Sequence, residues 1–251
     1  MNRSSTSLLF LYLTATTFVA QAQGGLGQAI LKGIGSITLS DTQVAEYSRQ
    51  GVQQMDAQSP VAGPNDPYAQ RLNRIVSRHQ TISGIPVNYK VYLVKDVNAF
   101  AAGDGSVRVF KGLMDIMTDG ELIAVIGHEM GHVVNHDTRD AMKSGLRQAA
   151  LRDGLGAISP AAGRLSQSQA AAIVSGLYGA KFSRAQETEA DDYSYGFLKS
   201  HGYSVLALAS SFEKLAKLGG GGTLEVLSSH PDSQKRAARV RDRARRDRLA
   251  R

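Results

Sequence analysis

The stretch AVIGHEMGHV, residues 124–133, decides both the fold and the chemistry that this sequence predicts. An α-helix turns by about 100° and rises by about 1.5 Å per residue, so His128 and His132 lie on one face, one turn apart. Two neutral imidazoles with this spacing can share one zinc ion, and Glu129 lies where a carboxylate can take a proton from metal-bound water. The flanking residues are apolar, which predicts a buried helix, and unpartnered His and Glu would be costly there. The pattern therefore favours a zinc site over a chance pentapeptide on a surface helix.

Two helices and a small sheet are predicted ahead of this metal helix. The helices begin at Ser40-Asp41 and at Asp66-Pro67, each a helix start signal. Apolar and polar residues alternate over residues 87–94, which indicates a half-buried strand. The Asp-Gly pair at 104–105 indicates a hairpin turn into a return strand at residues 107–110. We therefore expect a small antiparallel sheet beside the metal helix.

Downstream, the sequence pattern predicts further helices near residues 138–152, 165–180, 183–201 and 204–218, and a final Arg-rich helix after residue 231. The first two are weakly amphipathic and form either a plain helical hairpin or a lid over the active cleft. A flexible break is expected at Gly219–Gly222. The predicted fold class is α+β, with mainly helices around the sheet and the cleft between the sheet edge and the metal helix.

The first 22 residues have the features of a signal peptide. Arg3 precedes an apolar run from Leu8 to Ala20, and Ala20-Gln21-Ala22 is an A-x-A cleavage site. A short membrane anchor is the alternative, although the run is short for a span. Residues 23–39 are glycine-rich and predict a linker, which leaves residues 40–251 as a single domain. No later stretch is apolar for long enough to predict a transmembrane segment. Together with the signal peptide, this leads us to expect a periplasmic protein.

The chain of 251 residues contains no cysteine. An exported protein of this composition has no disulfide framework, and its stability must come from its core and any metal. The signal peptide also has no lipobox cysteine to carry a lipid. Any zinc ligands must therefore be His, Asp or Glu.

The net charge of +7 is concentrated at the end of the chain, where residues 234–251 hold nine Lys or Arg and two Asp. Such a segment can bind an anionic surface or an acidic envelope protein. Nucleic acid is not an expected partner of an exported chain. Our default expectation for this segment is a solvated, partly disordered helix end.

A catalytic zinc takes three protein ligands and a water, so one ligand must come from elsewhere in the chain. The candidates are four further histidines and the acidic cluster at residues 187–192. Glu187 and Asp191 are four residues apart on one helix face, so Glu187 can bind zinc while Asp191 accepts the N–H of a ligand histidine. A solvated acidic face is the alternative, and it explains Glu189 and Asp192 better than the other two.

The remaining histidines and Arg236 are expected to have different roles. His230 either donates to the oxyanion of the reaction or occupies a fourth zinc position in a resting state, and a structural role is the alternative. Arg236 can pair with a carboxylate of the site or with the substrate. His136 is expected to be a favourable cation at the end of the metal helix. His79 and His201 are predicted to be ordinary surface residues.

Three ordered motifs resemble the HtpX and CAAX prenyl protease family of zinc endopeptidases: His128-Glu129-x-x-His132, Ser183-Arg184-x-x-Glu187-x-Glu189-Ala190-Asp191 and His230-Pro231-x-x-x-x-Arg236. The similarity is greatest to the soluble envelope branch and covers most of the predicted mature chain. It implies a zincin fold of the gluzincin type, with His128, His132 and Glu187 as ligands and Glu129 as the base. The chain departs from lipoprotein members of that branch in having no cysteine, and from HtpX-type members in having no predicted transmembrane helices.

We therefore expect a zinc endopeptidase that cleaves misfolded or unassembled envelope proteins. Residues Asn98, Ala99, Phe100 and Ala101 are expected to form an edge strand that pairs with an extended substrate. One alternative is a largely latent metal-binding chaperone or assembly factor. The other is a protein that binds anionic surfaces through its basic helix and uses zinc only as a structural ion.

Overall fold

The structure is a computed structural model that describes residues 40–153, 172–176, 181–218 and 230–250. The predicted signal peptide (1–22), linker (23–39) and glycine break (219–222) lie outside these residues, as does most of the predicted helix at 165–180. The chain divides into two compact units, Leu39–Gly145 with Arg164–Arg251 and Met1–Thr38 with Leu146–Gly163. Residues 146–153, the end of one helix, are the described part of the second unit. The domain limits inferred from the sequence stay a prediction.

The numbered helices are α1 Asp41–Gln58, α2 Pro67–Val76, α3 Lys111–Ile116, α4 Asp119–Val134, α5 Asp137–Asp153, α6 Arg184–Ser200, α7 Leu206–Leu218 and α8 Ser233–Arg246. Residues 172–176 are also helical. Capping boxes begin α1, α4 and α6, with Ser40, Thr118 and Ser183 as the N-caps. In each, a hydroxyl and a Gln or Glu side chain satisfy backbone N–H groups that the helix leaves unpaired. The predicted α+β fold class, mostly helical, is confirmed.

The strands are β1 Thr81–Ile82, β2 Ile85–Pro86, β3 Asn88–Tyr92, β4 Ala99–Ala101 and β5 Ser106–Phe110. β1 and β2 form a small antiparallel pair, and the second sheet has the order β3-β5-β4. The predicted hairpin joins β4 to β5 in antiparallel fashion. The expectation of a purely antiparallel sheet is wrong, because β3 pairs with β5 in parallel. All five residues of β5 are buried, as expected for the central strand of the sheet. Strands β3 and β4 are its two edges.

Helix α4, which carries the two histidines, is the central element of the core. Thirteen of its 16 residues are buried, and it packs against α6, α7 and β4. Two glycines allow α6 to approach it closely. A Cβ on Gly131 would lie 2.9 Å from Ala190 Cα, and one on Gly127 would lie 3.1 Å from Ser194 Oγ. The Ser194 hydroxyl also donates to the carbonyl oxygen of Ala124 at 2.7 Å. This contact between α4 and α6 determines how close their functional side chains can be.

A buried ion pair fastens α1 to the sheet. Arg108 of β5 is 2% exposed and makes two hydrogen bonds, of 2.8 and 3.0 Å, to the carboxylate of Asp56. Lys90 and the hydroxyl of Tyr92 donate to the same carboxylate. The charge of Arg108 is therefore compensated inside the fold.

The basic end of the chain is mostly an ordered part of the fold. Helix α8 buries Ala237, Val240 and Ala244 and packs mainly on α7. Its arginines form ion pairs with carboxylates of α6, α7 and α8: Arg236 and Arg239 with Asp191, Arg243 with Asp192, Arg241 with Glu213 and Arg245 with Asp242. A solvated, partly disordered helix end is therefore the wrong description of residues 233–246, because one face of the helix is packed.

His79 is also not a surface residue, since it is 2% exposed. Its Nε2 lies 2.8 Å from the hydroxyl of Tyr203, and its ring contacts those of Phe197 and His201. These partners lie more than 100 residues further along the chain. Among the described residues, no helix is long and apolar enough to cross a bilayer.

Candidate metal centre

Four buried side chains converge at the middle of α4. His128 and His132 extend from α4, Glu187 from the first turn of α6, and His230 from the residues before α8. One possible ligand atom from each lies within 4.8 Å of the others. The structure therefore brings together the two histidines of the motif, the predicted third ligand and the ambiguous histidine.

The spacing of the donor atoms matches a tetrahedral metal site. His128 Nε2 lies 3.2 Å from His132 Nε2. Oxygen Oε2 of Glu187 lies 3.5 Å from Nε2 of His128, and Oε1 lies 3.5 Å from Nε2 of His132. Ligands about 2.0–2.1 Å from a tetrahedral zinc are about 3.3 Å apart. The two nitrogens and one carboxylate are a donor set that zinc commonly takes in catalytic sites. Oxygen Oε2 of Glu187 contacts Arg236 but makes no hydrogen bond of regular geometry.

Asp191, which the sequence suggests as a partner of a ligand histidine, lies behind His128. Its Oδ1 is 3.1 Å from Nδ1 of His128, so the opposite ring nitrogen faces the donor cluster. Arg236 holds this carboxylate with two hydrogen bonds, of 2.6 and 3.0 Å, and also contacts Glu187. Its guanidinium lies 4.0 Å above the ring of Phe212. Of the two partners proposed for Arg236, the structure brings it to the carboxylates of the site.

Two contacts of His132 were not foreseen from the sequence. Oxygen Oδ2 of Asp137 lies 2.8 Å from Nδ1 of His132, and the ring of Phe182 stacks on the imidazole at 3.9 Å and 14°. Asp137 follows the metal helix by three residues, and Phe182 precedes the N-cap of α6 by one. Neither residue belongs to a periodic pattern of the sequence. Only a search for carboxylates a few residues after the second histidine would have found Asp137.

Glu129 lies beside the cluster and is 6% exposed. Its Oε1 is 3.7 Å from Nε2 of His230, whose Nδ1 in turn lies 2.8 Å from Glu187 and 3.3 Å from His128. Burial raises the pKa of Glu129, because the charged form loses solvation. A carboxylate with a raised pKa is better suited to accept a proton near neutral pH.

The site histidines differ in their affinity for a proton. Burial, followed by the nearby charge of Arg236, lowers the pKa of His128 well below its usual value. Burial also acts to lower the pKa of His132, but the carboxylates of Asp137 and Glu187 outweigh it and raise that pKa to about 9. Burial opposes ionisation of Glu187, yet His132 and His230 hold its pKa below the usual range. Asp137 and Glu187 therefore favour a proton on His132, and His132 and His230 favour a negative charge on Glu187.

The predicted substrate strand, residues 98–101, includes β4 at an edge of its sheet and next to α4. Asn98 and Ala102 make the hydrogen bonds to β5, so the N–H and C=O groups of Ala99 and Ala101 point away from that strand. The Ala99 N–H donates to Oδ1 of Asn98, whereas Nδ2 of Asn98 has no hydrogen-bond partner in the described part of the chain. Residues 98–101 are all buried, so this edge is not open to solvent.

A cluster of metal-binding side chains on a buried helix, with a carboxylate beside it and a sheet edge alongside, defines a metal-dependent peptidase. Comparison with known families agrees, because residues 67–244 match the model of peptidase family M48. The match covers well over half of the chain. The chain belongs to this family and is a metalloendopeptidase.

Individual relatives support the same assignment. The chain is 47% identical over 207 residues to the metalloprotease LoiP of Escherichia coli, covering 82% of each protein. It is 41% identical over 247 residues to the metalloprotease YcaL of the same organism, covering 95% of this chain and 97% of YcaL. It is also 28% identical over 226 residues to the E. coli beta-barrel assembly-enhancing protease, covering 82% of this chain and 45% of that protein.

Proposed function

We propose that the chain is a zinc endopeptidase of the bacterial envelope that cleaves misfolded or unassembled proteins. In this proposal His128, His132 and Glu187 bind one zinc ion, and Glu129 is the general base. The observation that carries it is the 3.2–3.5 Å separation of the donor atoms of these three residues, with a buried carboxylate next to them. The roles of the individual residues rest on this geometry and on the motif.

A bound zinc ion supplies Lewis acidity, which lowers the pKa of a water molecule and stabilises negative charge on the carbonyl oxygen of the substrate. Glu129 accepts the proton of the attacking water and then delivers it to the leaving amine. Asp191, held by Arg236, keeps the Nδ1 proton on His128, so that Nε2 keeps its lone pair for the metal. The burial of Glu129 and the histidines keeps bulk water away from these groups.

His230 fits a resting-state role. Its Nδ1 lies within the donor cluster, 2.8 Å from Oε1 of Glu187, which can accept a hydrogen bond from the imidazole. This position supports a fourth ligand, and such a ligand would agree with the alternative of a largely latent metal-binding chaperone or assembly factor. Donation to the oxyanion would require His230 to move out of the cluster. Arg236 is assigned to the support of Asp191 and Glu187 rather than to substrate.

We propose that an extended substrate pairs with the edge strand at residues 98–101. The outward C=O groups of Ala99 and Ala101 and the N–H of Ala101 can pair with an extended peptide, which gives affinity with little sequence preference, whereas the N–H of Ala99 is taken by Asn98. Unfolded chains meet this requirement, because their backbone is free to pair. This strand is buried, so the edge must be uncovered before a substrate can pair with it.

The proposed location and role in the cell rest on other observations. Export is inferred from the signal-peptide features of residues 1–22. A role in protein quality control draws on the name of the beta-barrel assembly-enhancing protease, to which the chain is similar. Binding of an anionic surface by α8 would compete with the ion pairs that most of its arginines already form with carboxylates of the fold.

The test is to compare the wild type with Glu129→Gln on a denatured casein-like protein, together with analysis of bound metal. We expect Glu129→Gln to keep one zinc per chain and to lose cleavage by about 10²–10⁴-fold, the usual contribution of a general base. Glu189→Gln is the matched control, because Glu189 is an exposed carboxylate on α6, and it should cleave normally. Undiminished cleavage by Glu129→Gln with zinc bound would overturn the mechanism.

A further inference from the structure

Asp137 lies at a sharp corner between two helices. Helix α4 ends at Val134, and α5 begins at Asp137. Between them His136 has a φ of 64°, the left-handed region that residues other than glycine rarely adopt. The corner turns the chain so that the first side chain of α5 points back along α4. Strained backbone of this kind is often retained where it positions a functional group.

The carboxylate of Asp137 has two partners and is 4% exposed. Its Oδ2 lies 2.8 Å from Nδ1 of His132, and its Oδ1 accepts a hydrogen bond of 2.9 Å from Nε2 of Gln186. Gln186 belongs to the first turn of α6, directly before Glu187. A single carboxylate therefore connects a proposed ligand on α4 to the helix turn that carries another.

Both the oxygen and the nitrogen of the Gln186 side-chain amide form hydrogen bonds. Its Oε1 accepts the N–H of Ser183 at 2.9 Å and completes the capping box of α6, while its Nε2 donates to Asp137. In the capping box of α4 a glutamate, Glu121, has the equivalent position. Either residue type can close a capping box, but only the amide can also donate to a carboxylate. The choice of glutamine at position 186 is thereby explained.

We propose that Asp137 and Gln186 act as a pair of positioning residues for the metal site. Asp137 holds the proton of His132 on Nδ1, so that Nε2 faces the donor cluster with a free lone pair. Gln186 orients Asp137 and fixes the α4–α5 corner relative to Glu187. The inference rests on the proposed role of His132 as a metal ligand.

The test measures zinc affinity by competition with a chromophoric chelator. Loss of such a supporting partner typically lowers metal affinity by about 10–100-fold, and this is expected for Asp137→Ala, with a smaller loss for Asp137→Asn. Asp140→Ala is the matched control. Both aspartates lie in the first turn of α5, but Asp140 is 60% exposed and pairs with Lys143. It should bind zinc as the wild type does.

A second variant separates positioning from folding. Gln186→Glu keeps the oxygen that closes the capping box and replaces the donor to Asp137 with an acceptor, so zinc affinity should fall by about 10-fold or more while α6 stays folded by circular dichroism. For the Asp137 and Gln186 variants kcat should fall more than KM changes, whereas Asp140→Ala should match the wild type in both. Wild-type zinc affinity in both Asp137→Ala and Gln186→Glu, or an equal loss in Asp140→Ala, would overturn the proposal. If instead the wild type binds no zinc, the proposed function itself fails.

Discussion

Replacing Gly131 by alanine tests whether close packing of α4 on α6 places Glu187 at the metal site. The new Cβ would lie 2.9 Å from Cα and 3.0 Å from the carbonyl oxygen of Ala190. Carbon atoms in contact are normally about 3.5–4.0 Å apart, so α6 must move by roughly 0.5–1 Å. Both atoms belong to the backbone, and no change of rotamer can relieve the clash.

Two opposing terms set the expected stability of Gly131→Ala. Overpacking of this kind costs about 1–3 kcal/mol, while the higher helix propensity of alanine returns about 1 kcal/mol. Gly196→Ala is the matched control, because Gly196 lies on α6 with no atom within 4 Å of an added Cβ. The propensity term is common to both variants. The difference between them should therefore be about 1–3 kcal/mol, or roughly 2–12 °C in Tm for a domain of this size.

The catalytic effect should exceed the loss of stability. Glu187 precedes Ala190 by three residues on α6, so it moves with the helix. Misplacement of a reacting group by about 1 Å can lower the rate by about 100-fold. We expect kcat/KM for peptide cleavage to fall by one to two orders of magnitude in Gly131→Ala and to stay unchanged in Gly196→Ala. Equal Tm values and equal cleavage in the two variants would refute this account of the helix contact.

Three further measurements test other parts of the structure. Arg236→Lys should lose about 2 kcal/mol in urea denaturation, because an ammonium cannot make both hydrogen bonds to Asp191; unchanged stability would contradict the importance of that pair. Asp56→Asn should lose about 3–5 kcal/mol by leaving the buried Arg108 uncompensated. Burial opposes ionisation of Asp56, but its bonds to Arg108 and Lys90 lower its pKa, so its contribution is present above about pH 4 and is lost as pH falls further. Asp56→Asn should flatten this acid dependence, and an unaltered profile would refute the assignment. Removing metal with a chelator should lower Tm, and zinc at 100 times its Kd should restore about 2.7 kcal/mol; a Tm indifferent to both treatments would exclude a metal that stabilises the fold.

Local patterns were sufficient to predict much of the fold and the proposed site. The two histidines, the carboxylate pair of α6 and the helix start signals at Ser40 and Asp66 each depend on residues a few positions apart, and helix geometry alone brings these together. The parallel pairing of β3 with β5 could not be predicted, because alternation indicates which face of a strand is buried but not which strand lies beside it. Asp137 was missed because its contact depends on the left-handed conformation of His136.

Charge patterns were the least informative part of the sequence. The arginines of α8 suggested a solvated segment, because their partners on α6 and α7 lie tens of residues earlier in the chain. The burial of His79 likewise depends on Tyr203, 124 residues away. Such long-range contacts leave no periodic signal in a single sequence.

The position of Arg236 in the chain has a consequence for the order in which the site can form during synthesis. The guanidinium contacts His128, which is made 108 residues earlier. A nascent chain that has reached only α7 already contains both histidines, Glu129 and Glu187, but it lacks the cation that pairs with Asp191 and Glu187. The charge balance of the centre is therefore completed only once α8 has been translated, after His128, Glu129, His132 and Glu187 are already in the chain.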